Sequence, residues 1–155
     1  MKNKQVLINQ LAESFFTLRQ KCATKDLYLI ENLKISLSEY NCLVQFFNMD
    51  TVGIKHLAKQ LDLSPGGITR IVTILEEKKL VERKISPGDR RSIDVFLTES
   101  GKKLVAKMKK LSIDLHAEIL GHIELQYREQ VVMSVEMLIQ AIDLWIAGHQ
   151  ELLEN

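Results

Sequence analysis

Steps of three and four residues between apolar positions dominate both ends of this chain, and strict alternation is confined to a short stretch in the middle. Leu7, Leu11, Phe15 and Leu18 give the segment from about Val6 to Cys22 one apolar face, which predicts a helix. Ser36 followed by Glu39 has the form of a capping box, so a second helix is expected to start there, bury Tyr40, Leu43, Val44 and Phe47, and end near Met49. Towards the carboxy end, Val131, Val135, Leu138, Ile142, Trp145, His149 and Leu152 alternate steps of four and three as a heptad seam. A second stripe at Val132, Ile139, Ile146 and Leu153 widens that face. Leu104, Met108, Leu111, Leu115 and Ile119 give the preceding helix a similar one. Apolar surface this broad at the end of a small chain predicts that a second copy covers part of it. A helical hairpin folded on itself is the competing reading.

The middle is punctuated: residues 53–101 hold both prolines and most of the glycines, so long helices are expected only on either side. Ile54 to Asp62 reads as a short helix with Leu57, Ala58 and Leu61 inward, followed by a turn at Leu63 and Ser64. The Ser64 hydroxyl can accept from a free backbone N–H, and Pro65 suits the first helical position, where its missing N–H costs nothing. Ile68, Ile71, Val72 and Leu75 then repeat at helical spacing and leave Gly66, Gly67, Thr69, Arg70 and Thr73 on the outer or amino-terminal side. Small, polar and cationic residues so placed fit a helix that comes close to a groove floor and its phosphates, with Arg70 long enough for a guanine edge or the backbone. The run matches helix-turn-helix spacing except that Asp62 stands where glycine is common, so the turn must accept a strained Asp or another geometry. Two helices that are only core would show the same spacing.

Leu80 to Ile85 and Ser92 to Leu97 alternate roughly and flank Ser86-Pro87-Gly88-Asp89-Arg90-Arg91, a turn-forming segment tipped with charge. Together they read as a β-hairpin. Thr98 to Gly101 supplies the next helix start, with Thr98 as its cap. A hairpin directly after such a helix, with Arg90 and Arg91 at its tip, has the make-up of a wing that reaches an adjacent minor groove. DNA would repel a lone Asp89, so its expected use is to hold one guanidinium in a fixed fork. Charge is partitioned in the same sense. Residues 55–91 carry nine Lys or Arg against five acids and residues 98–110 five Lys against Glu99, whereas residues 111–155 carry eight acids against Arg128 alone. The net charge of +1 hides this division, and phosphate contacts need local positive charge. Chance clustering on solvated helices is the bland alternative.

The stretch from Leu80-Val81-Glu82-Arg83 through Asp89-Arg90-Arg91 to Leu97-Thr98-Glu99-Ser100-Gly101 resembles the signature of the MarR (multiple antibiotic resistance regulator) family, in which an Asp-x-Arg wing tip precedes a strand ending in Leu-Thr and a Gly three residues later. The resemblance implies a fold that is mainly α with a small β-wing, a winged helix-turn-helix with long N- and C-terminal dimerisation helices. Residues 1–35 would be the N-terminal dimerisation region, 36–100 the DNA-binding lobe and 101–155 the C-terminal dimerisation helices, all in one continuous folding unit. It implies that Ser64 to Thr73 enter the major groove, that Arg91 enters the minor groove and that Asp89 orients it. The dimer interface is expected at Leu7, Leu11, Val135, Leu138, Ile142 and Trp145. The expected activity is ligand-responsive repression by a homodimer on a pseudo-palindromic duplex, with half-sites about one DNA turn apart.

Sensing is less legible. The resemblance implies a small-molecule effector cleft that Tyr28, Tyr40 and Phe47 can line, although core packing explains those aromatics equally well. The resemblance makes Cys22, near the end of the first helix, the better candidate for oxidant sensing, but only Lys21 and Lys25 are nearby to stabilise a thiolate, and a buried or idle thiol is the competing reading. His56, His116, His122 and His149 are scattered, so no metal and no cofactor is expected. No Gly-rich phosphate loop, nucleophile elbow or clustered acid/base set points to an enzyme, and a winged helix used only for protein contacts would not need the Asp89-Arg90-Arg91 tip. At 155 residues, 46% apolar and 26% charged, the chain is long enough to bury a core. It has no uninterrupted apolar run near the roughly 20 residues of a bilayer span, and its amino terminus lacks the form of a secretory signal. A soluble cytoplasmic protein without a membrane partner is expected.

Overall fold

The computed structural model describes residues 3–87 and 89–149, and of Arg90 the backbone alone. Gly88, the Arg90 side chain, Leu152 and Leu153 therefore lie outside the described residues. The element order is α1 (Lys4–Leu33), α2 (Leu37–Val44), β1 (Thr51–Gly53), α3 (Ile54–Gln60), α4 (Pro65–Glu77), β2 (Val81–Ser86), β3 (Asp89–Leu97), α5 (Glu99–Gly121), a 3-10 turn (Leu125–Tyr127) and α6 (Arg128–Ala147). This is the expected fold, mainly α with a small β-wing. The chain divides into two compact units, Met1–Ser112 and Ile113–Asn155, with the division inside α5.

In the first unit, α1 continues well past Cys22. Residues 23–33 contain no Gly or Pro to stop it, and it ends where Lys34 turns left-handed (φ 55) and its N–H bonds back to the carbonyls of Ile30 and Glu31. Only Leu29 and Leu33 of this helix are buried, while Leu7, Leu11, Phe15, Phe16 and Leu18 are exposed. Both halves of the α2 capping box form: the Ser36 N–H donates to Glu39 Oε2 (2.7 Å) and the Glu39 N–H to Ser36 Oγ (3.3 Å). The helix stops at Val44 rather than near Met49. Beyond it, the N–H groups of Gln45, Phe46 and Phe47 bond to the carbonyls of Cys42, Leu43 and Val44, three residues back. That tighter winding rotates Phe46 into the core in place of Phe47, which is only half-buried.

Two short helices then cross. Leu57 on α3 and Ile68, Val72 and Leu75 on α4 are buried, and the turn between them closes through the Leu63 N–H on the Ala58 carbonyl (2.9 Å). Asp62 accepts the left-handed conformation, φ 50, which Asp tolerates better than most residues. The sheet is antiparallel in the order β1-β3-β2. Strand β1 was not expected, because three residues are too few to show alternation. It sets Val52 opposite Val95, and these two, with Val81 and Leu97, are the sheet's contribution to the core.

In the second unit, Arg128 Nε donates to the Ile123 carbonyl (2.9 Å) and so ties down the entry to α6. No residue of α6 is buried. The segment Leu125–Ala147 is long and apolar enough, by length and composition alone, to cross a membrane, although Arg128, Glu129, Glu136 and Asp143 interrupt its apolar run. Its charge argues otherwise. Glu129, Glu136 and Asp143 are seven residues apart, so at 100° per residue they form one stripe opposite the seam of Val131, Val135, Leu138, Ile142 and Trp145. A bilayer would receive all three carboxylates, each costly in hydrocarbon. The pattern is that of an amphipathic packing helix.

The first unit is locked where α5 begins. Thr98 Oγ1 shares its one proton between the carbonyls of Lys79 (2.7 Å) and Leu80 (3.2 Å) and accepts from the Gly101 N–H (3.0 Å). This pulls α5 onto the turn after α4 so closely that a Cβ at Gly101 would sit 2.0 Å from the Leu80 carbonyl oxygen. Alanine within a helix ordinarily stabilises relative to glycine by roughly 0.5–1 kcal/mol. Here the sign should reverse: Gly101→Ala is expected to destabilise by about 1–3 kcal/mol, read as a lowered midpoint in thermal or urea unfolding, and an unchanged or raised midpoint would refute the close approach.

Candidate nucleic-acid interface

The outer face of α4 is built from what it lacks. Ser64 caps the helix through the Gly67 N–H (3.2 Å) and Pro65 takes the first position, so the helix starts without a bulky residue. A Cβ at Gly66 would meet nothing within 4 Å, and its φ is not positive. Neither packing nor backbone geometry inside the protein requires glycine there. Gly67 is tighter, with Ser64 Oγ 3.4 Å from a built Cβ. Thr69 and Arg70 are exposed on the same face and Thr73 is half-buried.

The wing carries a feature that alternation could not disclose. Ile85 pairs with Ile93 but Ser86 pairs with Asp89, so Arg90, Arg91 and Ser92 are extra residues on the β3 side, in a bulge. Strand β3 thus begins at Asp89, inside the segment expected to be turn. Bulges re-aim side chains, and this one falls on the two arginines. The expected fork between Asp89 and a guanidinium is corrected for Arg91: the Asp89 carboxylate accepts from the Arg91 backbone N–H (2.9 Å). Asp89 therefore fixes the backbone of the tip, and no ion pair engages the exposed Arg91 side chain among the described residues.

Two ion pairs, neither read from the sequence, hold α4 at its far end. Arg83 on β2 meets Glu76 through its guanidinium and through its backbone N–H (2.9 Å), and its Nη2 also donates to Thr73 Oγ1 (3.3 Å). Hydrogen bonding from Arg83, opposed by slight burial, holds the Glu76 carboxyl below its ordinary value. Lys78, the α4 C-cap, pairs with buried Glu39 of α2. Burial pushes the Glu39 carboxyl up, but Lys78 and the Ser36 N–H and hydroxyl outweigh it, and the group ends below its ordinary value of 4.5.

The remaining expected residues are dispersed. Leu7, Leu11, Val135, Ile142 and Trp145 are exposed and Leu138 is half-buried. Trp145 stacks on His149 at 4.5 Å between ring centroids. Tyr28 is exposed on α1, Tyr40 is buried core, and Phe47 lines an open depression with Met49, Asp50, Lys102 and Lys109. Neither Tyr28 nor Tyr40 lines that depression, so the three aromatics are not brought together there. Cys22 is exposed in the middle of α1, and the buried Cys42 thiol is pushed up to about 12 by desolvation. The described residues hold no group of three His, Cys, Asp or Glu able to bind a metal ion.

A glycine-fronted helix crossed by a shorter one, with an arginine-tipped hairpin behind it, defines a winged helix-turn-helix lobe. Residues 35–93 match the MarR family. The chain is 30% identical over 124 residues to the organic hydroperoxide resistance transcriptional regulator of Bacillus subtilis (strain 168), an overlap of 78% of this chain and 82% of that one. Its fold is similar to a MarR transcriptional regulator from Methanosarcina mazei Go1 (TM-score 0.71, 24% identity, 86% of this chain and 96% of that one). It also resembles the S. aureus MepR F27L mutant bound to an oligodeoxyribonucleotide (TM-score 0.58, 20% identity, 85% and 97%). The chain belongs to the MarR family and is a DNA-binding transcriptional regulator.

Two outcomes follow from the site. Because the Glu39 carboxyl is depressed in the folded state, its contribution is complete above the ordinary carboxylate value and is lost as pH falls through the folded one. Unfolding midpoints of the wild type should therefore drop between pH 6 and pH 3 more steeply than those of Glu39→Gln, and parallel curves would show that the ion pair contributes nothing. Gly66→Ala should raise stability by about 0.5–1 kcal/mol and at the same time weaken duplex binding at least severalfold in a fluorescence-anisotropy titration. Unimpaired binding would mean that nothing approaches this backbone.

Proposed function

We propose that this chain is a homodimeric, ligand-responsive repressor that binds an approximately palindromic duplex, with α4 in the major groove and Arg91 in the neighbouring minor groove. The observation that carries the reading is the union of a helix face kept bare at Gly66 with a hairpin whose bulge bears an exposed arginine. The MepR variant bound to an oligodeoxyribonucleotide supports the same use of the fold. Ser64, Gly66, Gly67, Thr69, Arg70 and Thr73 form the major-groove surface, and Asp89, Arg90 and Arg91 form the wing. Arg91 suits the concentrated negative potential of a narrow minor groove.

The apolar faces of α1 and α6 support a second copy. Leu7, Leu11, Phe15 and Phe16 on one helix, and Val131, Val135, Ile142 and Trp145 on the other, are all exposed. Surfaces of that extent mark interaction sites in proteins that act in water. A two-fold pair presents two α4 helices a fixed distance apart, so a palindrome follows from symmetry. Occupying promoter DNA excludes polymerase, hence repression in the cytoplasm. An effector acts by favouring a spacing of the two lobes that fits DNA less well.

The test is a titration of purified protein against duplexes from the region upstream of its own gene and of its neighbour, with sedimentation on the same samples. Log affinity should fall linearly with log salt. Arg91→Ala and Arg70→Ala should each cost about 1–3 kcal/mol of binding and leave a dimer at micromolar concentration. A monomer under those conditions would dispose of the homodimer, and undiminished affinity in Arg91→Ala would dispose of the wing assignment.

A further inference from the structure

We propose that Thr69 reads thymine through its γ-methyl group and not through its hydroxyl, which makes it a specificity-determining residue; this rests on the assignment of α4 to the major groove. A threonine hydroxyl has one proton to give. Thr69 Oγ1 gives it to the Pro65 carbonyl at 2.7 Å, and Thr73 Oγ1 gives its own to the Thr69 carbonyl at 2.9 Å. Thr73 Oγ1 is engaged a second time, as acceptor from Arg83 Nη2 at 3.3 Å, and Glu76 holds that guanidinium in place. Neither threonine keeps a donor for a base edge. Thr73 is half-buried, whereas Thr69 is exposed, three residues after the bare backbone of Gly66 and on the same helical face. What it offers a groove floor at that range is a methyl group and oxygen lone pairs.

The major-groove pattern of the bases decides what such a surface accepts. Guanine presents two acceptors, N7 and O6, which would face lone pairs. Thymine presents its C5-methyl group, for which the Thr69 methyl is a matched apolar partner. Arg70, exposed next to Thr69, is the residue on this face with N–H donors to give, and it suits guanine. The spent hydroxyls thus divide the labour along one helix turn. Thymine falls to Thr69 and guanine to Arg70.

The experiment begins with a duplex selected by the wild-type protein from a random library. Each thymine is then replaced singly by deoxyuridine, which removes the C5-methyl and leaves every hydrogen-bonding group. At one position per half-site the replacement should weaken binding about fourfold, the worth of one buried methyl group. Thr69→Val, which keeps a methyl and loses the hydroxyl, should keep that sensitivity to uracil. Thr69→Ser, which keeps the hydroxyl and loses the methyl, should bind about fourfold more weakly and no longer distinguish thymine from uracil there. The reverse pattern, with Thr69→Ser still sensitive to uracil and Thr69→Val indifferent to it, would overturn the proposal, as would indifference to uracil at every position. Failure to enrich any duplex would instead overturn the major-groove assignment itself.

Discussion

The contact between Gly101 and the Leu80 carbonyl governs how the DNA-reading lobe is assembled. At that point the chain has just completed the recognition helix and the wing and must begin α5, and a Cβ-free residue lets the new helix rest directly on the backbone of the turn that ended the old one. Thr98 fastens the approach from both sides, since its hydroxyl donates chiefly to the Lys79 carbonyl, its backbone N–H donates to the Leu80 carbonyl, and its Oγ1 accepts from the Gly101 N–H of the new helix. The turn itself needs Lys79 in the left-handed region, φ 57, a local cost carried by the bonds around it. Three elements thereby share one junction. The end of α4, the start of β2 and the start of α5 meet there.

Arg83 fixes a second relation, between β2 and α4. Its contacts to Glu76 and Thr73 set strand β2 against the outer side of α4, and hence the wing against the helix. The Glu39–Lys78 pair does the same between α2 and the C-terminal end of α4. Lys78 is partly open to water, so the Coulombic contribution of that pair is modest. What each pair mainly supplies is direction, because a carboxylate that already receives N–H bonds from its own backbone surroundings accepts a cation from one side only.

Much of this was legible from spacing, because local rules act over a few residues. The capping box at Ser36, the cap at Ser64, the left-handed demand on Asp62 and the cap at Thr98 each depend on neighbours within three positions, and each is present in the structure. The features that escaped depend on distance in sequence. Arg83 and Glu76 are seven apart and on different elements, Lys78 and Glu39 lie on separate helices, and β1 exists only because β3 is beside it. The aromatic near the end of α2 was misplaced for a local reason of another kind: a helix that tightens to three residues per turn exchanges which of two adjacent phenylalanines faces inward. Periodicity assumes constant winding and cannot show where it changes.

At Asp89 the structure differs from the ion pair that was expected. An acid beside two arginines invites an ion-pair reading, but an ion pair would draw a guanidinium back towards the protein and compete with phosphate for it. In this structure the carboxylate takes the Arg91 backbone N–H instead. That bond fixes the start of the bulge, and the Arg91 side chain is exposed, with no ion pair to it among the described residues. The same economy operates on α4, where threonine hydroxyls are turned onto helix carbonyls and the cation is left free. On both elements the small polar groups satisfy the protein's own backbone, while the Arg70 and Arg91 side chains are exposed.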